Sequence, residues 1–266
     1  MRIAFIDFIE WDYTPNTPWE RPLGGTQSGL CYLMISLAKL GHQVFLLNNT
    51  KAVTQCRGVQ CIPLTLDSEK LAEIFKAIGA DAVVVLSTAE TGPQLRALLP
   101  KSTQLYLWSG HAANQPHYDT LNVEETKAAW DGFIFMGSWQ RDTVCEKFEL
   151  DRDKAVNLGM AIAPAFETQF SPDESIVSHK SAKPVLVYTS TPFRGLEVLV
   201  DAFPAIREQL PEAELRIFSS MKLYQIDEKD DQFTQLYERC RGMPGVDYVG
   251  PIPQPKLAEE LKSAWV

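Results

Sequence analysis

The chain has 266 residues, 45% hydrophobic and 22% charged, a balance that suits a globular protein and excludes a disordered chain, a collagen or a coiled coil. Its 25 Lys and Arg stand against 34 Asp and Glu, and the net charge of -9 argues against general attraction to nucleic acid or an anionic membrane, leaving room only for a local basic site. No apolar run reaches the roughly 18 residues of a membrane span, and MRIAFIDFIEWD lacks the build of a secretory leader, so a cytoplasmic protein is expected.

Short apolar runs alternate with segments of helical period, the pattern of a parallel sheet covered by helices on both faces. IAFIDF (Ile3 to Phe8) reads as the first strand. A polar, Pro-rich loop from Glu10 to Leu23 leads into GGTQSGLCYLMISLAKLG, whose Leu30, Leu33, Met34, Leu37, Ala38 and Leu40 are expected to share one helix face, with Gly41 ending it. VFLLN, CIPL, AVVVLS and QLYLWS then read as strands. Between them stand a helix carrying Leu71, Ile74, Phe75 and Ile78 and a short helix near Leu95 to Leu99. GFIFMGS, a helix from Trp139 to Phe148, and AVNLGMAI complete a first half over residues 1–167.

Residues 168–183, TQFSPDESIVSHKSAK, are polar and read as an interdomain linker. From 184 to 266 the alternation restarts with PVLVYTS, a helix from Leu196 to Leu210, ELRIFSS, a helix from Asp231 to Arg241, VDYVG and a helix from Pro255 to Trp265. The expected fold is therefore α/β, with two Rossmann-like, doubly wound domains. Three strands make a thin second sheet, so the second domain is expected to be incomplete.

Several positions could carry chemistry. Gly24 and Gly25 precede a helix, where backbone amides at its positive end could meet a phosphate or a sugar; a flexible turn capped by Thr26 is the alternative. G-G-x-x-x-G is not the dinucleotide spacing G-x-G-x-x-G, which disfavours an NAD-dependent oxidoreductase or epimerase. In TSTPFRG, Arg194 and Gly195 stand at a helix mouth on the carboxyl edge of the second sheet, with hydroxyls from Thr189, Ser190 and Thr191. Arg194 could grip phosphate oxygens or be a surface arginine. His111, after QLYLWSG, is either a proton-handling or sugar-binding imidazole or a structural one.

Asp151-Arg152-Asp153 reads as a solvated turn rather than an Asp-x-Asp metal site. Cys31, Cys56, Cys61, Cys145 and Cys240 read as free thiols. No metal site is expected.

Taken in order, GGTQSGLCYLMISLAKLGHQV, GSWQRD, NLG, TPFRGLEVLVDAFPAIREQLPEAELRIF and VGPIPQPKLAEELKSA resemble the GT-B-fold retaining glycosyltransferases of family 4, over nearly the whole chain. The resemblance implies that Gly24 and Gly25 lie near the donor phosphate and the acceptor. Arg194, beside Ser190 and Gly195, would grip the donor diphosphate. Gly250, Pro251 and Ile252 would contact the nucleobase, and His111 would touch the transferred sugar. Two departures accompany it: Thr189 and Ser190 stand where many relatives carry a further Arg, and no Glu is followed eight residues later by another, so the E-x7-E motif is missing and a C-terminally truncated form is expected.

The implied activity is transfer of a hexose, glucose above others, from a UDP-sugar to a hydroxyl acceptor on a sugar or lipid-linked partner, in polysaccharide or glycoconjugate synthesis. It needs no cofactor and no metal, involves no nucleic acid, and leaves peripheral membrane contact open. The competing reading is a nucleotide-sugar-binding module without turnover. The cleft is expected to be lined by Gly25, His111 and Arg194.

Overall fold

A computed structural model describes all 266 residues, apart from the side chain of Glu228. The chain forms two compact units: the first comprises Met1–Asn16 and Gly29–Ala161, the second Thr17–Ser28 and Ile162–Val266. Both consist of parallel β-strands joined through helices. No helix among the described residues is long and apolar enough to cross a membrane.

From Met1 to Ala161 the chain forms β1 (Arg2–Ile6), a short α1 (Thr17–Glu20), α2 (Gly25–Lys39), β2 (Gln43–Asn48), β3 (Thr54–Cys56), β4 (Val59–Pro63), α3 (Ser68–Ile78), β5 (Ala82–Leu86), α4 (Gly92–Leu98), β6 (Gln104–Ser109), α5 (Glu124–Ala129), β7 (Gly132–Phe135), α6 (Ser138–Phe148) and β8 (Ala155–Asn157); α1 and the start of α2, through Ser28, group with the second unit and the rest with the first. The sheet of the first unit runs β3-β4-β2-β1-β5-β6-β7-β8, and every pair is parallel except β3 with β4. Strand order therefore reverses at β1, which pairs with β2 on one side (Ile3 with Val44) and β5 on the other (Ile3 with Ala82).

Burial explains the continuous apolar runs. Ala4, Ile6, Val83, Val85, Leu105, Leu107, Phe133 and Phe135 pack in one cluster with Leu71 and Phe75 of α3, Leu95 of α4 and Val144 and Phe148 of α6. The alternate residues Phe5, Val84, Leu86 and Trp108 are buried as well. A strand covered on both faces has no polar face to display, so the usual alternation disappears.

Several expectations change in detail. On α2 the buried apolar residues are Leu30, Cys31, Met34 and Ile35, while Leu40 is 75% exposed because the helix has ended by Lys39. His42 N–H closes back on the Leu37 carbonyl and Gly41 N–H on Ala38, a Schellman-type stop. The hairpin of β3 and β4 was not legible, since Thr54–Cys56 is polar and the turn is Arg57-Gly58, both at positive φ. The 3-10 helix Pro116–Asn122 and α5 were likewise unforeseen. They bury only Tyr118, Leu121, Thr126 and Ala129, too few for a periodic signal.

The second unit contains α7 (Pro164–Glu167), β9 (Val185–Tyr188), α8 (Leu196–Gln209), β10 (Glu214–Ile217), α9 (Thr234–Gly242), β11 (Val246–Tyr248) and α10 (Gln254–Lys262). Its sheet is β11-β10-β9, all parallel, over a core of Leu196, Val200, Phe203, Leu215, Ile217 and Tyr237. The free edge of β9 is taken by the last residues of the chain: Trp265 N–H donates to the Val185 carbonyl at 2.7 Å and Val187 N–H to that of Val266 at 2.7 Å. Residues 168–183 belong to this unit and are tied to the end of α10, with Ser181 N–H on the Ser263 carbonyl (3.0 Å) and the Trp265 indole N–H on the Ser181 carbonyl (2.8 Å).

Packing is close at the start of α4. A Cβ at Gly92 would stand 2.6–2.9 Å from the Trp130 indole, itself 1% exposed. Gly92→Ala is expected to lower stability by about 1–3 kcal/mol, the usual cost of overpacking. In chemical denaturation the midpoint should fall at unchanged m-value.

Candidate functional site

In open α/β sheets, ligands bind outside the carboxyl ends of strands near the point where strand order reverses. In the first unit that edge is built from the loops after β1, β2, β5, β6 and β7.

After β1, Asp7 is 4% exposed and accepts from the Tyr13 hydroxyl at 2.8 Å and from Ile9 N–H at 3.2 Å. Burial, then the Asp7 charge, pushes the Tyr13 hydroxyl well above its ordinary range, so it stays a donor. Asn48 at the end of β2 donates to the Tyr13 carbonyl at 2.8 Å and accepts from Thr50 N–H at 3.2 Å. After β5, Ser87 adopts φ of 60° and its N–H donates to the Trp108 carbonyl at 2.9 Å.

The loop after β6 carries His111. Gln140, on α6 and 8% exposed, donates from Nε2 to the Ser109 and His111 carbonyls, both at 2.8 Å, and to the Tyr118 hydroxyl at 3.2 Å; its Oε1 accepts from Met136 N–H at 3.0 Å. Tyr118 in turn donates to the His111 carbonyl at 3.1 Å. Thus one buried amide ties the ends of β6 and β7 to the His111 backbone. The half-buried His111 ring stacks on His117 (centroids 3.5 Å apart, planes 15° off parallel), and its Nδ1 lies 3.2 Å from Gln115 Oε1. Burial, followed by the neighbouring His117, holds the His111 pKa below 6.5, with Gln115 acting in the opposite direction. His111 is therefore neutral at pH 7.

Gly24 and Gly25 open α2. Ser28 N–H donates to the Gly24 carbonyl at 2.9 Å, which places Gly24 rather than Thr26 at the cap position. Gly25 is exposed, and a Cβ there would meet nothing within 4 Å. The helix mouth is open to an incoming group.

In the second unit, the β9 loop turns on Tyr188. Its hydroxyl donates to the Thr191 carbonyl at 2.7 Å. Burial raises the Tyr188 pKa, while Arg194, Leu196 and Ser190 work against that. Gly195 caps α8 at φ 102°, ψ 17°, a conformation that suits glycine and places no side chain at the helix mouth. Arg194 is exposed, has no carboxylate partner among the described residues, and lies 5.8 Å from the Phe193 ring centroid. Thr191, 4% exposed, has a hydroxyl with no partner, and so does the fully buried Ser219 after β10. Buried hydroxyls without partners are uncommon, and these two stand at strand carboxyl ends.

Gly250, at φ 78°, follows β11, and its N–H shares the Ile217 carbonyl with Val249 N–H, both at 3.1 Å; Pro251 and Ile252 are half-buried before α10. Tyr248 donates to the Ser219 carbonyl at 2.8 Å.

Other candidates resolve into structure. Asp151 caps the turn Arg152–Lys154 by accepting from Asp153 N–H at 3.0 Å, and Arg152 pairs with Asp142 at 3.0 Å. All five cysteines are free; burial pushes the Cys61 thiol up to about 12 and Cys31 higher still. Among the described residues no group of three or more His, Cys, Asp or Glu is arranged to hold a metal ion. Gln115, Gln140, Tyr118 and Tyr188 were not singled out as site residues from sequence. Gln140 sits in GSWQRD, but nothing local shows that its amide reaches the preceding strand.

No protein-family model and no curated protein sequence matches the chain. Solved structures do match. A glycosyltransferase from Rickettsia africae ESF-5 aligns at 13% identity and a TM-score of 0.66, covering 98% of this chain and 71% of that one. Sucrose-phosphate synthase from Thermosynechococcus elongatus aligns at 18% identity and 0.66, covering 99% and 74%. UDP-GlcNAc 2-epimerase from Neisseria meningitidis, bound to UDP-GlcNAc, aligns at 9% identity and 0.55, covering 99% and 76%. At such identities the likeness is one of fold: this chain has the mixed α/β, two-unit GT-B fold.

Because protonating His111 costs more in the folded protein than in the unfolded chain, its contribution to stability falls as pH drops below about 6.5. An NMR titration should give His111 a midpoint below 6.5. His117→Asn should move that midpoint upward by removing the neighbouring charge.

Proposed function

We propose that this chain handles UDP-sugars as a retaining glycosyltransferase, moving a hexose, glucose first, to a hydroxyl acceptor in glycoconjugate or polysaccharide synthesis. The observation that carries the reading is the β9–α8 mouth: an unpaired Arg194, a glycine-opened helix N-terminus and a buried Thr191 hydroxyl without a partner. These are donors and positive charge gathered for an anion, and a helix N-terminus adds roughly half an elementary charge.

In this reading Arg194, Thr191 and the α8 amides hold the donor diphosphate, with Gly195 keeping the mouth clear. Gly250, Pro251 and Ile252 meet the nucleobase, and Gly24 and Gly25 offer amides to the phosphate or acceptor. His111, neutral, accepts a hydrogen bond from a hydroxyl of the transferred sugar. The bond between the anomeric carbon and the diphosphate oxygen breaks, a bond to the acceptor oxygen forms, and the acceptor's proton passes to the departing diphosphate oxygen. The leaving UDP gains negative charge, so fixed donors lower the barrier without an obligatory metal. Glu197, in the same first turn, is the one acidic residue there and sets a limit on the local positive field.

Arg194→Ala is expected to weaken UDP binding by about 1.5–3 kcal/mol, the range for hydrogen bonds to charged groups, with chelator making no difference. Calorimetry with unchanged affinity in the variant, or affinity lost to chelator, would count against the site. His111→Ala should lower sugar transfer by about 10²-fold or more at unchanged UDP affinity and melting temperature. UDP binding without UDP release from UDP-glucose would instead support the nucleotide-sugar-binding module.

A further inference from the structure

His111 has two ring nitrogens, and the chemistry it offers depends on which one carries the proton. Ala112 N–H donates to Gln115 Oε1 at 2.8 Å. An amide N–H needs an acceptor, so that position in the Gln115 side chain belongs to the carbonyl oxygen and not to the amide nitrogen. The same oxygen lies 3.2 Å from His111 Nδ1. An oxygen that only accepts forces Nδ1 to donate, because the other tautomer would set two lone pairs against each other.

The ring is held in place for this. His111 N–H donates to Ser109 Oγ at 3.3 Å, its carbonyl takes Gln140 Nε2 and the Tyr118 hydroxyl, and His117 covers one ring face. Nε2 has no partner among the described residues.

We propose that Gln115 is a positioning residue that fixes His111 in its Nδ1–H tautomer and so presents Nε2 as a bare acceptor. With Nε2 protonated the ring would donate to a sugar hydroxyl; with Nε2 bare it accepts from one, and Gln115 decides between the two. The use of Nε2 on a sugar rests on the proposed function, whereas the tautomer rests on the hydrogen bonds alone.

The test is a two-bond proton–nitrogen correlation spectrum of the ¹⁵N-labelled protein at a pH where the ring is neutral, with His111 assigned by its loss in His111→Gln. The wild type should show a protonated Nδ1 and an unprotonated Nε2. Gln115→Ala should shift more than half of the population to Nε2–H, while Gln115→Glu, whose carboxylate can take both hydrogen bonds, should restore the wild-type pattern. Release of UDP from UDP-glucose should fall by about 10-fold or more in Gln115→Ala and recover in Gln115→Glu.

A wild-type His111 protonated on Nε2 overturns the proposal whatever the variants do, and so does an unaltered Nδ1–H pattern in a folded Gln115→Ala. The expected tautomers in a wild-type protein that never releases UDP would support the role of Gln115 and sink the transferase reading instead.

Discussion

Parallel pairing of β1 with β2 on one side and β5 on the other is the constraint on which the first unit depends. In a parallel sheet every strand ends on the same edge, so each return connection has to cross a face, and each loop after a strand emerges beside the others. That is why Asp7, Asn48, Ser87, Ser109 and His111, far apart in the chain, share one edge. Covering both faces has a cost in composition: nearly every residue of β1, β5 and β6 must be apolar, which confines polar chemistry to the strand ends.

At those ends the polar groups brace one another. Gln140 is the clearest case, since one buried carboxamide satisfies carbonyls of the β6 loop, a tyrosine hydroxyl and an amide after β7. Leaving any of these buried groups unpaired would cost about 1–3 kcal/mol, so the network resists rearrangement. The outcome is an imidazole whose backbone is fixed from behind and whose far nitrogen faces no protein partner. Its depressed pKa follows from the same enclosure, with the stacked His117 adding to it.

The second unit solves a similar problem with tyrosines. Tyr188 closes the β9 loop by donating to the Thr191 carbonyl, while Tyr248 reaches the Ser219 carbonyl, and Tyr237 donates to the buried Asp231 at 2.9 Å. Rigid loops of this kind leave a few donors unspent. The hydroxyls of Thr191 and Ser219 are buried without partners, and Arg194 has no carboxylate partner among the described residues. In the proposed reading these are the groups that meet the donor diphosphate, because donors already satisfied by the protein have less to gain from a ligand.

Most of the strands, the long helices and the restart of alternation after residue 183 could be read from the chain, because long apolar runs have few places to go but the interior of a folded domain. The positions of His111, Arg194 and the glycine pair in the fold were legible for the related reason that they stand after such runs or open the helices beyond them. What tertiary structure alone decided is pairing at a distance. The Arg57-Gly58 hairpin, the attachment of residues 168–183 to the end of α10, the grouping of Thr17–Ser28 with the second unit, and the hold of Gln140 and Gln115 on the His111 loop depend on which groups meet in space. Local sequence determines periodicity and burial tendency through the hydrophobic effect. Hydrogen-bond partners of polar side chains are chosen only once the sheet has placed them within about 3 Å of one another.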